Sequence, residues 1–399
     1  MPNAPIVASS SDHIMSAPGA DITAVGRLPN RATRIDRVAG PVPIVTRSIV
    51  IALDAMGGDG GPGVAVEGAA IALARWPDLR FVFFGKAPEI APWLDAMPGL
   101  RAASEIVHTE EFVSQESKPS QALRRSRNSS MALAIKSVKE GRAAAAVSSG
   151  NTGALMALAK FILKTLAGID RPALASRFPT RRGDTVMLDL GANVECDARN
   201  LVQFAIMGAA FARTVLGLDC PKVGLLNIGV EEIKGNEQVK AAAQILRQSS
   251  LPFECAGFVE GDVITEGIVD VVVTDGFTGN AALKTAEGVA RFVAVLLREA
   301  FSDSLRSKLG YVLARGSLGR ISELLNPSLR NGAVFLGLNG LVVKSHGGTN
   351  AEGFASAICV AHEMAANDLC QMITDDLAGQ GDSEPTLELD EGRRKVAAS

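Results

Sequence analysis

The residues whose types and spacing could do chemistry lie in short polar loops that follow apolar runs. The first such unit is Ile49-Val-Ile-Ala-Leu-Asp-Ala-Met-Gly-Gly-Asp-Gly-Gly-Pro62. Its apolar run stops at Asp54, and glycines then crowd the stretch from Gly57 to Gly63. Pro62 stands where a helix accepts proline, at its start. A strand, a glycine loop and a helix start leave backbone N–H groups free to hold an anion. The pattern Gly58-x-Gly60-x-x-Gly63 also spells a dinucleotide fingerprint. A nicotinamide site, however, needs a carboxylate at the end of the next strand, about 20 residues on. The next run, Arg80–Phe84, ends in Gly85-Lys86. The loop therefore reads as a seat for phosphate or another polar group.

Ser149, Asn151 and Thr152 open a helical stretch after a second apolar run. Residues of these types cap helices, and the same groups can bind phosphate or an oxyanion. Lys344 and His346 share a loop of small residues. Lys344 would neutralise phosphate charge. His346 would donate to an oxyanion or protonate a departing thiolate. Set against this, a lone lysine is commonly solvated and a lone histidine commonly structural. Asp54 and Asp59 are unexpected in an anion site. Asp59 is expected to cap the helix from Val64, and Asp54 to orient Lys344 or an asparagine. Asn193, Glu231, Lys234, Asn280 and Lys284 either line the cleft or hold its loops.

Positioning these loops requires an α/β framework. Strands are predicted at Ser48–Leu53, Arg80–Phe84, Glu105–His108, Ala143–Ser148, Thr185–Asp189, Lys222–Ile228, Phe253–Phe258 and Val269–Thr274. Helical spacing fills most of the intervals, as at Val64–Trp76, Ala122–Lys139, Thr152–Lys164, Leu201–Leu216 and Gln238–Gln248. This alternation predicts an open, largely parallel sheet with helices on both faces. Continuous apolar runs such as Val269-Asp-Val-Val-Val273 fit a sheet buried on both sides. In such a sheet the loops after the strands are expected to share one edge.

Composition narrows the classes. Of 399 residues 47% are hydrophobic, enough for a large core, but only 5% are aromatic, so small aliphatics must fill it. A net charge of −3 gives no nucleic-acid footprint. The five cysteines are scattered without a CxxC pair, and the four histidines lack ligand spacing. Neither a disulfide framework nor a metal is expected. No apolar run is long enough to span a membrane. Residues 1–46 read as a disordered extension, residues 47–375 as the catalytic α/β domain, and residues 376–399 as a disordered tail.

Taken together, the loops resemble those of the bacterial phosphate acyltransferases of phospholipid synthesis (the PlsX family). The segments that carry the likeness are Leu53–Asp59, Ser149–Ala154, Arg171–Ala173, Leu188–Asn193, Asn227–Glu231 with Lys234–Glu237, Gly276–Asn280 and Val343–Gly347. They follow the family's order over Ile49–Leu369. Ser149 stands where the family commonly has alanine, and Gly348-Thr349-Asn350 where it has Ser-Ser-Asp. The resemblance implies a fold like those of phosphotransacetylase and the isocitrate and isopropylmalate dehydrogenases. It implies reversible transfer of a long acyl chain from acyl carrier protein to inorganic phosphate, without a cofactor. Asn151, Lys344 and His346 would be catalytic, and Asp54, Gly57, Gly58, Ser149, Gly150, Thr152, Asn193 and Asn280 would bind phosphate or substrate. The enzyme would be a cytoplasmic homodimer on the inner face of the membrane, passing acyl phosphate to the membrane glycerol-3-phosphate acyltransferase. A short-chain phosphotransacetylase and a non-catalytic scaffold docking acyl carrier protein at the membrane are the alternatives.

Two basic regions bear on partners. Arg124-Arg-Ser-Arg127 is either a solvated face or a rim that steers an acidic carrier protein. In Leu305–Leu325, Leu305, Leu309, Val312 and Leu313 recur at helical spacing beside Arg306, Lys308 and Arg315. This helical insertion near 302–326 packs on the core or a dimer mate, or touches a membrane surface.

Overall fold

The central design problem of this chain is to seat a sheet so wide that both of its faces must be covered. The structure, a computed structural model, describes residues 48–325 and 330–381. The expected N-terminal extension lies outside the described residues. The strands are β1 (Ile49–Asp54), β2 (Leu79–Gly85), β3 (Ser104–His108), β4 (Ala145–Ser148), β5 (Ala173–Thr180) and β6 (Gly183–Leu188). They continue as β7 (Lys222–Leu226), β8 (Glu254–Val259), β9 (Val271–Val273), β10 (Ala333–Leu336) and β11 (Leu341–Lys344). All eleven form one sheet in the order β3-β2-β1-β4-β11-β10-β5-β6-β9-β7-β8.

Three of these strands are not among those predicted. β5 ends across Pro179, which disguises it. β10 and β11 are four residues each around the Gly337–Gly340 turn, too short to show a period. These strands set the relative direction of the two half-sheets. The joints β11–β10, β10–β5 and β5–β6 are each antiparallel. Three reversals invert one half of the sheet relative to the other. Strands β1, β4 and β11 run parallel to each other, as do β6, β9 and β7. The loops after the two sets therefore approach from opposite directions and converge beside β5, where β10 pairs with residues 173–175 and β6 with residues 176–180.

The helices are α1 (Gly61–Arg75), α2 (Ala87–Asp95), α3 (Pro98–Ala102), α4 (Pro119–Arg125), α5 (Ser130–Lys139) and α6 (Thr152–Leu163). They continue as α7 (Ala198–Leu216), α8 (Glu237–Gln248), α9 (Gly276–Ser302), α10 (Leu305–Leu325), α11 (Ala351–Ala366) and α12 (Leu369–Gly381). The single helix expected over Ala122–Lys139 is two. Ser129 ends the run by accepting the Ala132 N–H at 3.3 Å and so starts α5 afresh. The tail expected from Asp376 begins later, because α12 continues to Gly381 and Asp376 pairs with Arg213 of α7.

Alternation along each strand divides the core between two faces. Ile51, Leu53, Phe81 and Phe83 meet α1, α7 and α11 on one side. Ala52, Val82, Phe84, Leu174 and Phe335 meet α5 and α6 on the other. Helix α7 is buried continuously from Asn200 to Ala212, which explains why its apolar residues run all round it. Its start is fixed by Asp197 and Asn200, each side chain bonded to the other's backbone N–H. Phe204→Ala, at the centre of this helix, is expected to cost about 3–5 kcal/mol. Phe161→Ala, on an exposed face of α6, should cost less than about 1 kcal/mol. Urea midpoints of the two variants, compared at unchanged slope, check the contrast.

Candidate active site

The first loop cluster is built on a carboxylate. Asp54 ends β1 and is buried. It accepts the Ser148 hydroxyl at 2.7 Å and the Met56 N–H at 3.3 Å. The Ser148 oxygen in turn accepts the Gly150 N–H at 3.0 Å, and the Ser149 hydroxyl donates to the Gly57 carbonyl at 2.9 Å. The loops approach so closely that a Cβ on Gly57 would lie 2.6 Å from the Gly150 nitrogen. Gly58 has φ +78°, and a Cβ there would lie 2.6 Å from Ser149 Oγ. These contacts, not a dinucleotide, account for the glycines. Asp59 does not cap the following helix as expected. Helix α1 starts at Gly61 without a side-chain cap, and the Asp59 N–H donates instead to the Gly347 carbonyl at 3.0 Å.

Lys344 ends β11 directly beside Ser148. Its ammonium donates to the Ser149 carbonyl at 3.4 Å and to the Ser345 carbonyl. Burial pushes it down to about 8, the carboxylates of Asp54 and Asp59 pull it back up, and Lys284 of α9 pushes it further down. Burial likewise raises the Asp54 carboxyl above the usual range, opposed by the Ser148 and Met56 bonds and by Lys344. Asp54 thus acts on Lys344 by charge, while its hydrogen bonds go to the loop.

Two expected catalytic residues look different in the structure. Asn151 spends its amide on scaffold: Oδ1 accepts the Ala154 N–H at 2.9 Å as the cap of α6, and Nδ2 donates to the Gln115 carbonyl at 2.6 Å. His346 is exposed, and its Nδ1 accepts the Gly348 N–H at 3.2 Å. In the neutral ring this leaves Nε2 to carry the proton. Its backbone is held by Asn331, whose Oδ1 accepts the His346 N–H at 2.9 Å and whose Nδ2 donates to Ser345 Oγ at 2.7 Å.

The second cluster has its own buried carboxylate. Asp189, just beyond β6, accepts N–H groups from Leu174, Gly191, Ala192 and Asn193 at 2.7–3.2 Å and the Asn193 amide at 2.9 Å. Burial raises its pKa despite these bonds. Asn193 also donates to the Pro172 carbonyl at 2.8 Å, so its side chain holds the loop. Its carbonyl accepts the Gly276 N–H at 2.7 Å at the start of α9, which Asp275 caps. Ser148, Asp189, Gln115 and Asn331 were not singled out from sequence. Only Asp189 lay within a motif read there; the others are joined to the site by tertiary contact alone.

The two clusters meet across a cavity of about 260 Å³. Thr152, Gly153 and Met156 of α6 form one wall, and Gly191, Ala192 and Asn280 form another. Leu174, Leu190 and Phe335 close its floor. Thr152 and Asn280 thus both line this cavity, one from each cluster. Arg124, Arg125 and Arg127 are exposed, at the end of α4 and just after it instead of at a helix start. Among the described residues no group of three or more His, Cys, Asp or Glu is arranged to hold a metal ion.

Sequence comparison agrees with the loop pattern. Residues 49–372 match the family described as fatty acid synthesis protein. The chain belongs to this family. A phosphate acyltransferase of Parvibaculum lavamentivorans is 59% identical over 84% of this chain and 92% of its own length. One of Paramagnetospirillum magneticum is 54% identical over 81% and 92%. Among solved structures, a phosphotransacetylase from Streptococcus pyogenes superposes with a TM-score of 0.52 at 18% identity, covering 80% of this chain and 94% of that one. The EutD phosphotransacetylase from Staphylococcus aureus gives 0.51 at 16% identity, covering 80% and 95%. These likenesses establish the expected fold for this member of the fatty acid synthesis protein family.

The lowered Lys344 value sets a pH dependence. The ammonium is cationic below about 8 and neutral above it, while phosphate is already dianionic there. Binding of inorganic phosphate, used as a probe anion, is therefore expected to weaken between pH 8 and 9.5. Lys344→Arg should keep it tight across that range, since guanidinium stays charged. Lys344→Met should bind weakly throughout and without pH dependence. Calorimetric titration with phosphate checks all three.

Proposed function

We propose that this chain transfers an acyl group from acyl carrier protein to inorganic phosphate, reversibly, giving the acyl phosphate used in phospholipid synthesis. The observation that carries the reading is the position of Lys344. A lysine withdrawn from water touches the loop that opens α6, the helix whose first residues line the cavity, in a chain whose relatives are named phosphate acyltransferases.

Phosphate is itself an anionic nucleophile. One of its oxygens attacks the thioester carbonyl, the C–S bond breaks, and the thiolate leaves with the electron pair and is protonated. Such a reaction asks for orientation, charge neutralisation and oxyanion donors. Lys344 supplies the cation. The first N–H groups of α6, at Thr152 and Gly153, supply donors at the positive end of the helix dipole. His346, with Nε2 protonated, supplies the proton. Asn151 acts by fixing the start of α6, and Asp54, Gly57, Gly58, Ser149 and Gly150 by setting the loop around it. Asn280 faces the substrate from the second half.

Two of the thiols are poor rivals as nucleophiles. Burial, with Asp189 and Asp275, pushes Cys196 up to about 12, and burial pushes Cys370 up to about 11. The hydrogen-bond partners of His108 (the Ala87 N–H and Glu110), His346 Nδ1 (the Gly348 N–H) and His362 Nε2 (Asp78) are N–H groups and carboxylates, not hydroxyls or thiols. These features support direct attack without an acyl-enzyme. Incubation with palmitoyl-acyl carrier protein should release carrier thiol and form acyl phosphate only when phosphate is present. Acetyl-CoA in place of the carrier thioester distinguishes a short-chain enzyme, and a trapped acyl-enzyme would overturn direct attack.

The same reading covers partners. The exposed Arg124, Arg125 and Arg127 suit an acidic carrier. Helices α9 and α10 lean on each other, with Phe301 and Tyr311 edge to face at 5.6 Å, and α9 buries only Gly276 and Gly279 in this chain. Val289, Phe292, Val293 and Leu296 form an exposed stripe at helical spacing on α9, which suits a second copy of the chain. On α10, Leu305, Leu309, Val312 and Leu313 are 63–85% exposed beside Arg306, Lys308 and Arg315. No helix among the described residues is long and apolar enough to cross a membrane. The α10 surface suits reversible attachment to the inner face of the membrane from the cytoplasm, where a glycerol-3-phosphate acyltransferase would receive the product. Leu309→Glu with Val312→Glu should release the protein from anionic vesicles in a flotation assay while acyl transfer in solution persists. A monomeric double variant would assign these side chains to the dimer contact instead.

A further inference from the structure

The cavity between the two loop clusters is larger than phosphate needs, and its lining is about as apolar as it is polar. One part of it is Met156, Leu174, Leu190 and Phe335, of which the last three are buried side chains of the core face that α6 covers. An anion placed against these four would lose hydration without gaining a partner, whereas an alkyl group would not. Polar side chains enter the lining at Thr152, where α6 begins, and at Asn280, in the first turn of α9.

We infer that this cavity is the seat of the first part of the acyl chain, with the thioester carbonyl held at its mouth. The inference rests on the acyl-transfer reading above and adds to it where the chain goes and what measures its length. The mouth adjoins the Ser149–Thr152 loop that Lys344 touches, so phosphate and carbonyl meet there while the alkyl group points down onto Phe335. The hollow, about 260 Å³, is bounded, so it takes the first part of a chain and leaves the rest of a longer one outside. Met156 is the half-buried side chain on the helical wall, which makes it the residue that sets the depth.

The test uses acetyl, butyryl, octanoyl, dodecanoyl and palmitoyl thioesters of acyl carrier protein with inorganic phosphate. For the unchanged protein, kcat/KM is expected to rise by roughly threefold per methylene over the shorter chains and to level off before palmitoyl. Met156→Trp should lower the octanoyl and palmitoyl values at least tenfold and leave butyryl transfer within about twofold. A uniform loss at every length, or none at any, overturns the chain seat while acyl transfer by the unchanged protein still stands. If the unchanged protein releases no thiol in a phosphate-dependent way, the acyl-transfer reading itself falls. Should Met156→Trp fail to fold, Met156→Cys provides the second measurement. Its maleimide labelling, located by peptide mass, should be slowed at least fivefold by dodecyl phosphonate and not by inorganic phosphate. Labelling unaffected by the alkyl compound overturns the proposal.

Discussion

The site depends on the cost of burying a carboxylate. Asp54 and Asp189 each end or follow a strand and are withdrawn from water, and neither is met there by a cation in direct contact. Such a group stays in place only if neutral donors converge on it. The donors available are loop N–H groups and hydroxyls, so each carboxylate gathers the loop beside it. Asp54 draws in Met56 and Ser148, and through Ser148 the Gly150 N–H. Asp189 draws in four successive or facing backbone groups and the Asn193 amide. The two acids shape the loops beside them, and Lys344 brings a cation to the Ser149 loop.

This arrangement suits a reaction whose nucleophile arrives already charged. The protein has no need to activate a serine or cysteine, and Cys196 and Cys370 are held protonated by burial and neighbouring carboxylates. What it must supply is a fixed geometry between an anion, a carbonyl and an apolar chain. Rigid loops pinned by buried carboxylates do this better than mobile side chains, because little reorganisation is left for the moment of reaction.

Much of the fold was legible because helix and strand periods are strong in this chain, as in the run Ile49–Asp54 and the long helix α7. What the sequence hid is local weakness of signal. β5 carries a proline, and β10 and β11 are too short to alternate, yet these strands set the relative direction of the two half-sheets. The opposed running of the two half-sheets was hidden for that reason. At the site, Lys344 and Thr152 were found by type and motif. The commitment of Asn151 to Gln115 and of Asn193 to Pro172 was not visible, since an amide's partner across 36 or 21 residues depends on how loops return, not on their composition.

The position of β10 and β11 has a consequence for how the protein is made. They come from the far end of the chain but lie at the middle of the sheet, between β4 and β5. A growing chain on the ribosome therefore presents two separate half-sheets, each with an unpaired edge strand, until residues 333–344 emerge. Open strand edges are where chains pair wrongly with each other. Phe335, which helps to line the cavity, arrives only with this closing hairpin, so a chain stalled upstream of it carries both loop clusters with that wall missing between them.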